Sequence, residues 1–466
     1  MNLTQVSTNI ENVIGLAIFL STMLLILCYS KPVYAEEPIG DVVFSRGAVS
    51  AQTAGGQIRL LGKDADVFRT DTITTAPKSF AVIKLNDGTR LSIRPDSILA
   101  ISDYADKAGE ESATMRLFRG GLRAISGLIS KNDPDAFKIK TAVATIGIRG
   151  TEFDARLCEA DCANEAREMT VKKAAIKSSV VGRVAFIKGS VSAKKTGGKS
   201  RTLTRGAPLY ENDEITTAKD AHVILVFRDE GRVTLKPETQ FSIEKYNYEK
   251  DSPESDSAFF RLAKGGMRAL SGYMSKRNPD KYGVRTAVAT IGIRGTGFDL
   301  LWLGPCTTSP GCGLVASVWE GGISSTNDSG TDDIGLNQTA RISAINLSPE
   351  LIDTAPIFNV PRPDSVDVDF ENLFATQKEN GEQQGLYVAC YEGHCAMLQE
   401  DKQLDLGAGE AGFASLDGQQ LVRLEQIEAF QQDDPYLNSI NELFDTLYEI
   451  LDDNVIEETE FECVVQ

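Results

Sequence analysis

Histidine is nearly absent: His222 and His394 are the only two in 466 residues, and neither stands in a nucleophile constellation. No Gly-x-Ser-x-Gly elbow and no Cys-x-x-Cys pair occurs, so serine-hydrolase chemistry and the usual zinc-ligand spacings lack sequence support. Aromatic residues are few, at 7%, against 40 glycines, a balance that suits a turn-rich β protein. Positive charge is also short. The formal net charge of −18 leaves phosphate repulsion unopposed over most of the surface and argues against a nucleic-acid partner. After Arg423 there is no Lys or Arg at all, against thirteen Asp and Glu. Abundant carboxylates do not by themselves mark a pair poised for acid–base work. The sequence therefore predicts no catalytic, cofactor-binding or metal-binding residues, and no enzyme.

One long apolar run is present, at residues 13–30, followed by Lys31, Pro32 and Val33-Tyr34-Ala35. Segment 1–35 reads as a signal peptide with a small-residue cleavage site after Ala35. Residues 1–12 carry Glu11 and no Lys or Arg, so an uncleaved inner-membrane anchor is the alternative, and only then is membrane contact expected. Cys28 follows Leu27 where a lipoprotein signal wants a small residue, which argues against lipidation. Either way the body of the chain is expected outside the cytosol, in the periplasm or otherwise exported.

Export changes how the cysteines read. Six of the seven after Ala35 fall in close pairs, Cys158/Cys162, Cys306/Cys312 and Cys390/Cys395, the pattern of local disulfides in an oxidising compartment. In LYVACYEGHCAML, a two-residue Glu392-Gly393 turn would set Cys390 opposite Cys395 on a non-hydrogen-bonded rung. Cα atoms there lie about 4.5 Å apart, within disulfide reach. Cys463 is left over, as a free thiol or an intermolecular link.

Internal repetition organises the rest. Residues 116–154 match 261–299 at a constant offset of 145, and 41–51, 71–76 and 91–97 match 183–193, 213–218 and 233–239 at an offset of 142. Each copy alternates aliphatic with polar residues in short runs, with hairpin signals at Asn86-Asp87-Gly88 and Asp229-Glu230-Gly231. The expected fold is all-β: two repeated β-sandwich or short β-solenoid-like units, plus a short C-terminal α-helix. The boundaries are 36–165 for the first unit and 178–345 for the second. A Pro/Asp-rich strap follows over 346–384, then a closing β-hairpin over 385–420. Residues 421–466 form an acidic tail with an amphipathic helix over 435–453. GLVASVWEGGI (313–323) resembles GLYVACYEGHC (385–395), each a strand running into a Glu-Gly turn, whereas the first copy has no such segment after Cys162. The hairpin 385–415 is therefore expected to fold back and complete the first unit.

TAVATIGIRGT stands at 141–151 and again, unchanged, at 286–296. It lacks the Gly-Lys-Ser/Thr of a phosphate loop, and β-branched residues precede its glycines. The reading is architectural: Gly147 for close backbone approach, and turns at Arg149, Gly150, Thr151 and at Arg294, Gly295, Thr296. A buried Arg149 needs a carboxylate, with Asp154 the candidate, as Asp299 is for Arg294.

TIGIRGTEFD, preceded by LFRGGLR and by LNDGTRLSIRPDS, resembles the signature of FecR domains. The resemblance covers roughly 40–155 and 183–325, with 385–415 similar to the closing strand-turn-strand. It implies an all-β fold on the periplasmic side. In signalling members such domains relay occupancy of an outer-membrane TonB-dependent receptor to a cytoplasmic sigma factor. The implied function is a non-catalytic binding or sensory module in envelope signalling, with an envelope protein as partner. The alternative is a structural envelope scaffold or a carbohydrate-associated β module.

Overall fold

Wherever aliphatic and polar residues alternate, the chain is extended. Phe80–Leu85 runs antiparallel to Arg90–Ile93 around Asp87-Gly88, and His222–Phe227 to Arg232–Leu235 around Glu230-Gly231. Gly88 and Glu230 take the left-handed φ values, +86° and +67°, that such tight reversals need. The computed structural model describes residues 37–432 apart from 134, 164–175, 199, 307–310 and 380. The predicted signal segment, Cys28, the 435–453 helix and Cys463 lie outside the described residues. Among those described, the strands form two sheet systems of 16 and 17 strands, with no closed barrel. The few helices are short, and one of them, Leu128–Asn132, recurs in the second copy as Tyr273–Arg277.

In the second unit the chain alternates between two faces. Val180–Lys188, His222–Phe227, Gly297–Trp302 and Leu314–Glu320 belong to one. Val191–Lys195, Asp213–Thr217, Gln240–Asn247 and Ile323–Asn327 belong to the other. Leu225, Phe298 and Leu300 from the first face share one core with Ile215, Phe241 and Phe260 from the second. The period-two pattern thus becomes a sandwich, because each strand buries only the side turned to the facing sheet.

The first unit repeats this arrangement with one difference. Its strand Thr145–Cys158 runs unbroken across the corner where the second unit has two strands, Thr290–Ile293 and Gly297–Trp302. Along its length lies Gly385–Gln399, antiparallel, from Thr145 opposite Leu398 to Cys158 opposite Gly385. Leu386, Val388, Cys390, Cys395 and Met397 of that strand enter the core of the first unit. Its other face carries Tyr387 and Ala389, which pack with Phe413, Leu424, Ile427 and Phe430. Lys402–Gly407 and Glu410–Ser415 then return on either half of it.

Here the structure corrects the hairpin reading. Glu392-Gly393 is not a reversal but a corner within a single strand, as Glu320-Gly321-Gly322 is between Leu314–Glu320 and Ile323–Asn327. In both places the strand passes from one face of its sandwich to the other, so Cys390 and Cys395 are not cross-strand neighbours. A Glu-Gly pair permits either geometry; the partner strand already in place selects the corner.

The stretch between the second unit and the closing strand lies on the second unit. Phe358 sits under Lys236 and Arg268, at 5.2 and 5.3 Å, and Arg362 lies 4.4 Å over Trp319. Arg232 covers Phe370, the first residue of a helix, Phe370–Phe374, whose N-cap Asp369 accepts from the Asn372 amide. Burying each aliphatic residue of Gly385–Gln399 stabilises by about 1.5–3 kcal/mol, so closure of the first unit rests on a segment far along the chain. A chain ended at Lys378 is expected to lose hydrogen-exchange protection across 145–158 while keeping it across 297–302. Equal protection at 145–158 with and without residues 379–466 would refute that dependence.

Candidate functional site at the junction of the two units

Both signature corners turn at glycine, with φ of +62° at Gly150 and +66° at Gly295, but their surroundings differ. Arg149 crosses to the second unit, donating to Thr204 Oγ1, and its other Nη lies 3.3 Å from Asp135. Arg294 is exposed, while Thr296 is buried and donates from Oγ1 to Gly322 O at 2.6 Å. Neither arginine meets its expected carboxylate. Asp154 is held by Arg94, Nη2 to Oδ2 at 2.8 Å, and Asp299 by Arg268 at 3.0 Å. Arg268 stands directly opposite Asp299 on the adjacent strand, whereas the Gly150 corner carries Arg149 away from Asp154. Gly147 does not serve close approach either, since a Cβ there would meet nothing nearer than 3.9 Å.

The closing sheet and the second unit share a buried charged cluster. Arg183, on Val180–Lys188, is 1% exposed and pairs with Glu410, whose Oε2 also accepts from the Gly407 amide at 2.8 Å. Arg423 Nε lies 3.5 Å from the same oxygen, and its Nη groups donate to Leu373 O and Asp405 O at 2.9 and 2.7 Å. Tyr210 of the second unit donates to Gly393 O at 2.7 Å and accepts from the Ala408 amide at 3.0 Å, gripping the Glu-Gly corner. At Gly407 a Cβ would stand 2.4 Å from Val180 Cγ2, so only glycine lets the two sheets meet this closely. A cavity of about 240 Å³ opens beside the cluster, lined by Arg183, Arg205, Asp367, Gln403, Asp405 and Arg423.

The electrostatics follow from two cations sharing one carboxylate. Burial alone would raise Glu410, but Arg183 and then Arg423 pull it down to about 2. Burial and Arg183 push Arg423 down to about 10, so it stays charged at neutral pH. His394 pairs Nε2 with Asp405 Oδ1 at 2.7 Å. Burial lowers the His394 pKa, an effect Asp405 only partly offsets, so the ring is neutral and donates to the ionised carboxylate. This geometry locks two units and the strap together.

Cys158–Cys162 and Cys306–Cys312 are bonded, at 2.08 and 1.99 Å. Cys390 and Cys395 are buried with their sulfurs 2.7 Å apart, on either side of the Glu392-Gly393 corner. Cys158, Asp161 and Cys162 converge at a spacing a metal could use, but those two sulfurs bond each other. Sequence reasoning did not find Arg183 or Glu410. One signal was available: Arg183 occupies the repeat position of Asp41, a charge reversal in otherwise matching segments. Gly407-Ala-Gly409-Glu-Ala-Gly412 has dinucleotide-loop spacing but forms the turn between Lys402–Gly407 and Glu410–Ser415, with no helix to receive a phosphate.

A family model described as FecR protein matches residues 71–192 and 213–324. The first match continues to Ser192, into strands that the structure assigns to the second unit, while Gly385–Gln399 takes the place beside Thr145–Cys158. Among solved structures, two of a candidate anti-sigma factor from Parabacteroides distasonis ATCC 8503 are similar, at 18% and 16% identity with TM-scores of 0.23 and 0.22. Each similarity covers 30% of this chain and 57% of the other. No curated protein matches.

Removing one member of the buried pair strands the other, so Arg183→Met is expected to cost about 3–5 kcal/mol in denaturant unfolding. The double change Arg183→Met with Glu410→Leu is expected to cost less than the sum of the two single changes, short of full recovery because Arg423 then loses its carboxylate; a double loss equal to that sum would show the pair to be uncoupled. For His394 the folded pKa is lowered, so its contribution is complete above the unfolded value of about 6.5 and declines as pH falls below it. Glu410, also lowered, contributes fully above about 4.5 and loses that contribution as pH falls toward about 2. His394→Gln is expected to flatten stability between pH 7.5 and 5.5 relative to the unaltered chain. Parallel pH profiles for the two would count against a neutral buried ring.

Proposed function

Because the chain belongs to the FecR protein family, we propose that it is a non-catalytic binding and sensory module of the cell envelope that works through protein–protein contacts. The observation carrying this reading is the family match over both units. The junction supports it, since Arg183 with Glu410 forms a buried pair that joins the units, and His394 with Asp405 a buried pair within the closing sheet. The proposed location is the periplasmic side, where the local disulfides Cys158–Cys162 and Cys306–Cys312 are chemically at home. In that setting Cys390 and Cys395 close a third bridge, and the sulfur separation of 2.7 Å places them within reach of it. Among the described residues no helix is long and apolar enough to cross a membrane.

Two measurements test this. Affinity capture with the full chain from intact envelopes is expected to recover a discrete membrane protein at fixed stoichiometry; recovery of wall or glycan material alone would favour a scaffold and defeat the sensory reading. Intact-mass analysis of exported protein after alkylation without reductant is expected to show no label on Cys390 or Cys395. Label on both would leave them as thiols.

A further inference from the structure

We infer that the edge strand Ile58–Leu60 of the first unit is a docking site for an extended segment of a partner protein, added as a further antiparallel strand with apolar side chains over Ile58 and Leu60. The inference rests on the protein-binding reading and says where the partner sits.

The edge is open in the direction that matters. Ile58–Leu60 pairs on one side only, with Val49–Gln52, Arg59 standing opposite Ala51. The amide of Leu61 donates to Val49 O and that of Thr53 to Gln57 O, so 49/61, 51/59 and 53/57 are the hydrogen-bonded rungs. On an antiparallel strand the intervening residues turn both backbone groups away from that neighbour. The N–H and C=O of Ile58 and Leu60 therefore point to the open side, and no described residue pairs with them across it. Their side chains share the outer face and are 67% and 79% exposed, among the most exposed large apolar groups of the chain.

The second unit supplies an internal control. At the same repeat positions it has Ser200, Arg201 and Thr202, and its neighbouring strand ends in Lys194-Lys195 where the first has Gln52-Thr53. Polar residues and lysines are how edge strands are kept from pairing, so the fold tolerates a silent edge here and the first copy has an adhesive one. The inward side of the strand is the same in both. Arg59 Nη1 donates to Asp71 at 2.8 Å over the ring of Phe68, and Arg201 Nη1 donates to Asp213 at 2.8 Å over the ring of Tyr210. Pinned from behind, the edge is ordered before anything binds, which lowers the cost of adding a strand. Elsewhere the edge strand Gly330–Ile334 carries Asp332 and Asp333, and the exposed Ile345, Leu347 and Ile357 lie on irregular chain.

Size identifies the occupant. Stable association of two folded copies buries about 1,200–2,000 Å², far more than a three-residue edge with two exposed side chains offers. A short extended segment, held by four backbone groups and two apolar contacts, fits the dimensions.

The isotope-labelled full chain is titrated with the blocked peptide Lys-Thr-Val-Thr-Val-Thr-Lys, and amide exchange is followed by NMR. At saturation the Ile58 and Leu60 amides are expected to slow at least tenfold, with Ser200 and Thr202 unchanged. The same peptide N-methylated at alternate residues is expected to give no slowing, because strand addition needs its backbone donors. The variant Ile58→Ser/Leu60→Thr, which copies the second unit, is expected to lose the effect while keeping protection at Val49–Gln52. Any of three results overturns the inference: no slowing at Ile58 and Leu60, equal slowing at Ser200 and Thr202, or an N-methylated peptide that works as well. Slowing that grows with protein concentration alone would name a second copy as the occupant and also overturn it. Envelope capture that persists in the double variant would sink this edge but leave the protein-binding reading standing; absence of any capture by the unaltered chain would sink that reading instead.

Discussion

The register that sets Thr145 against Leu398 and Cys158 against Gly385 is the constraint on which the molecule depends. The first sandwich cannot bury Phe153, Ile146 and Ile148 until a strand made after the whole second unit arrives beside them. Closing so long a loop, roughly 230 residues, costs only slightly more than closing a short one, because the entropy grows as the logarithm of length. Delay is the larger consequence, since non-local pairings form late. The two units are thereby linked topologically as well as by contact, and the strap crossing the second unit is what delivers the closing strand to the first.

Delivery requires an address, and the buried cluster provides one. Arg183 from the second unit, Glu410 from the closing sheet and Arg423 near the end of the described chain satisfy one another only in a single docking arrangement. A buried ion pair of this kind contributes little net stability against an apolar substitute, yet it penalises every arrangement that leaves a charge alone. Tyr210 adds direction by gripping both Gly393 and Ala408, and the glycines at 206 and 407 let the surfaces meet closely enough for those bonds to form.

The two copies act as controls for each other. Features present in both belong to the fold: the Arg59–Asp71 and Arg201–Asp213 latches, and the buried Tyr104–Asp87 and Tyr246–Asp229 pairs under the hairpins. Features present in one belong to its particular role. Asp41 against Arg183 marks which copy docks against the closing sheet from outside, and Ile58 and Leu60 against Ser200 and Thr202 mark which edge is adhesive. Arg149 reaches across the junction while Arg294, in an identical eleven-residue segment, faces solvent. Identical sequence therefore serves different contacts.

What was legible in the amino-acid order is whatever local physics decides. Alternation implied strands, Asn-Asp-Gly and Asp-Glu-Gly implied reversals, and self-similarity implied two β units. The short cysteine spacings implied local bridges, and the missing strand-corner-strand after Cys162 was visible as a gap. The likeness of 385–395 to 313–323 also named the segment that fills that gap; tertiary structure alone decided its register along Thr145–Cys158, because strand pairing has no sequence-local signal and is selected by the core left open. The same holds for Glu392-Gly393, a pair that can reverse a chain or bend it and bends here because the partner strand Thr145–Cys158 continues past it. It holds also for Arg149, Asp154 and Asp299, whose partners depend on which sheet face each side chain leaves from. Charge can be read along a sequence; the charge it will meet can stand 31 positions away, as Arg268 does for Asp299, or 227 away, as Glu410 does for Arg183, and is brought near only by the fold.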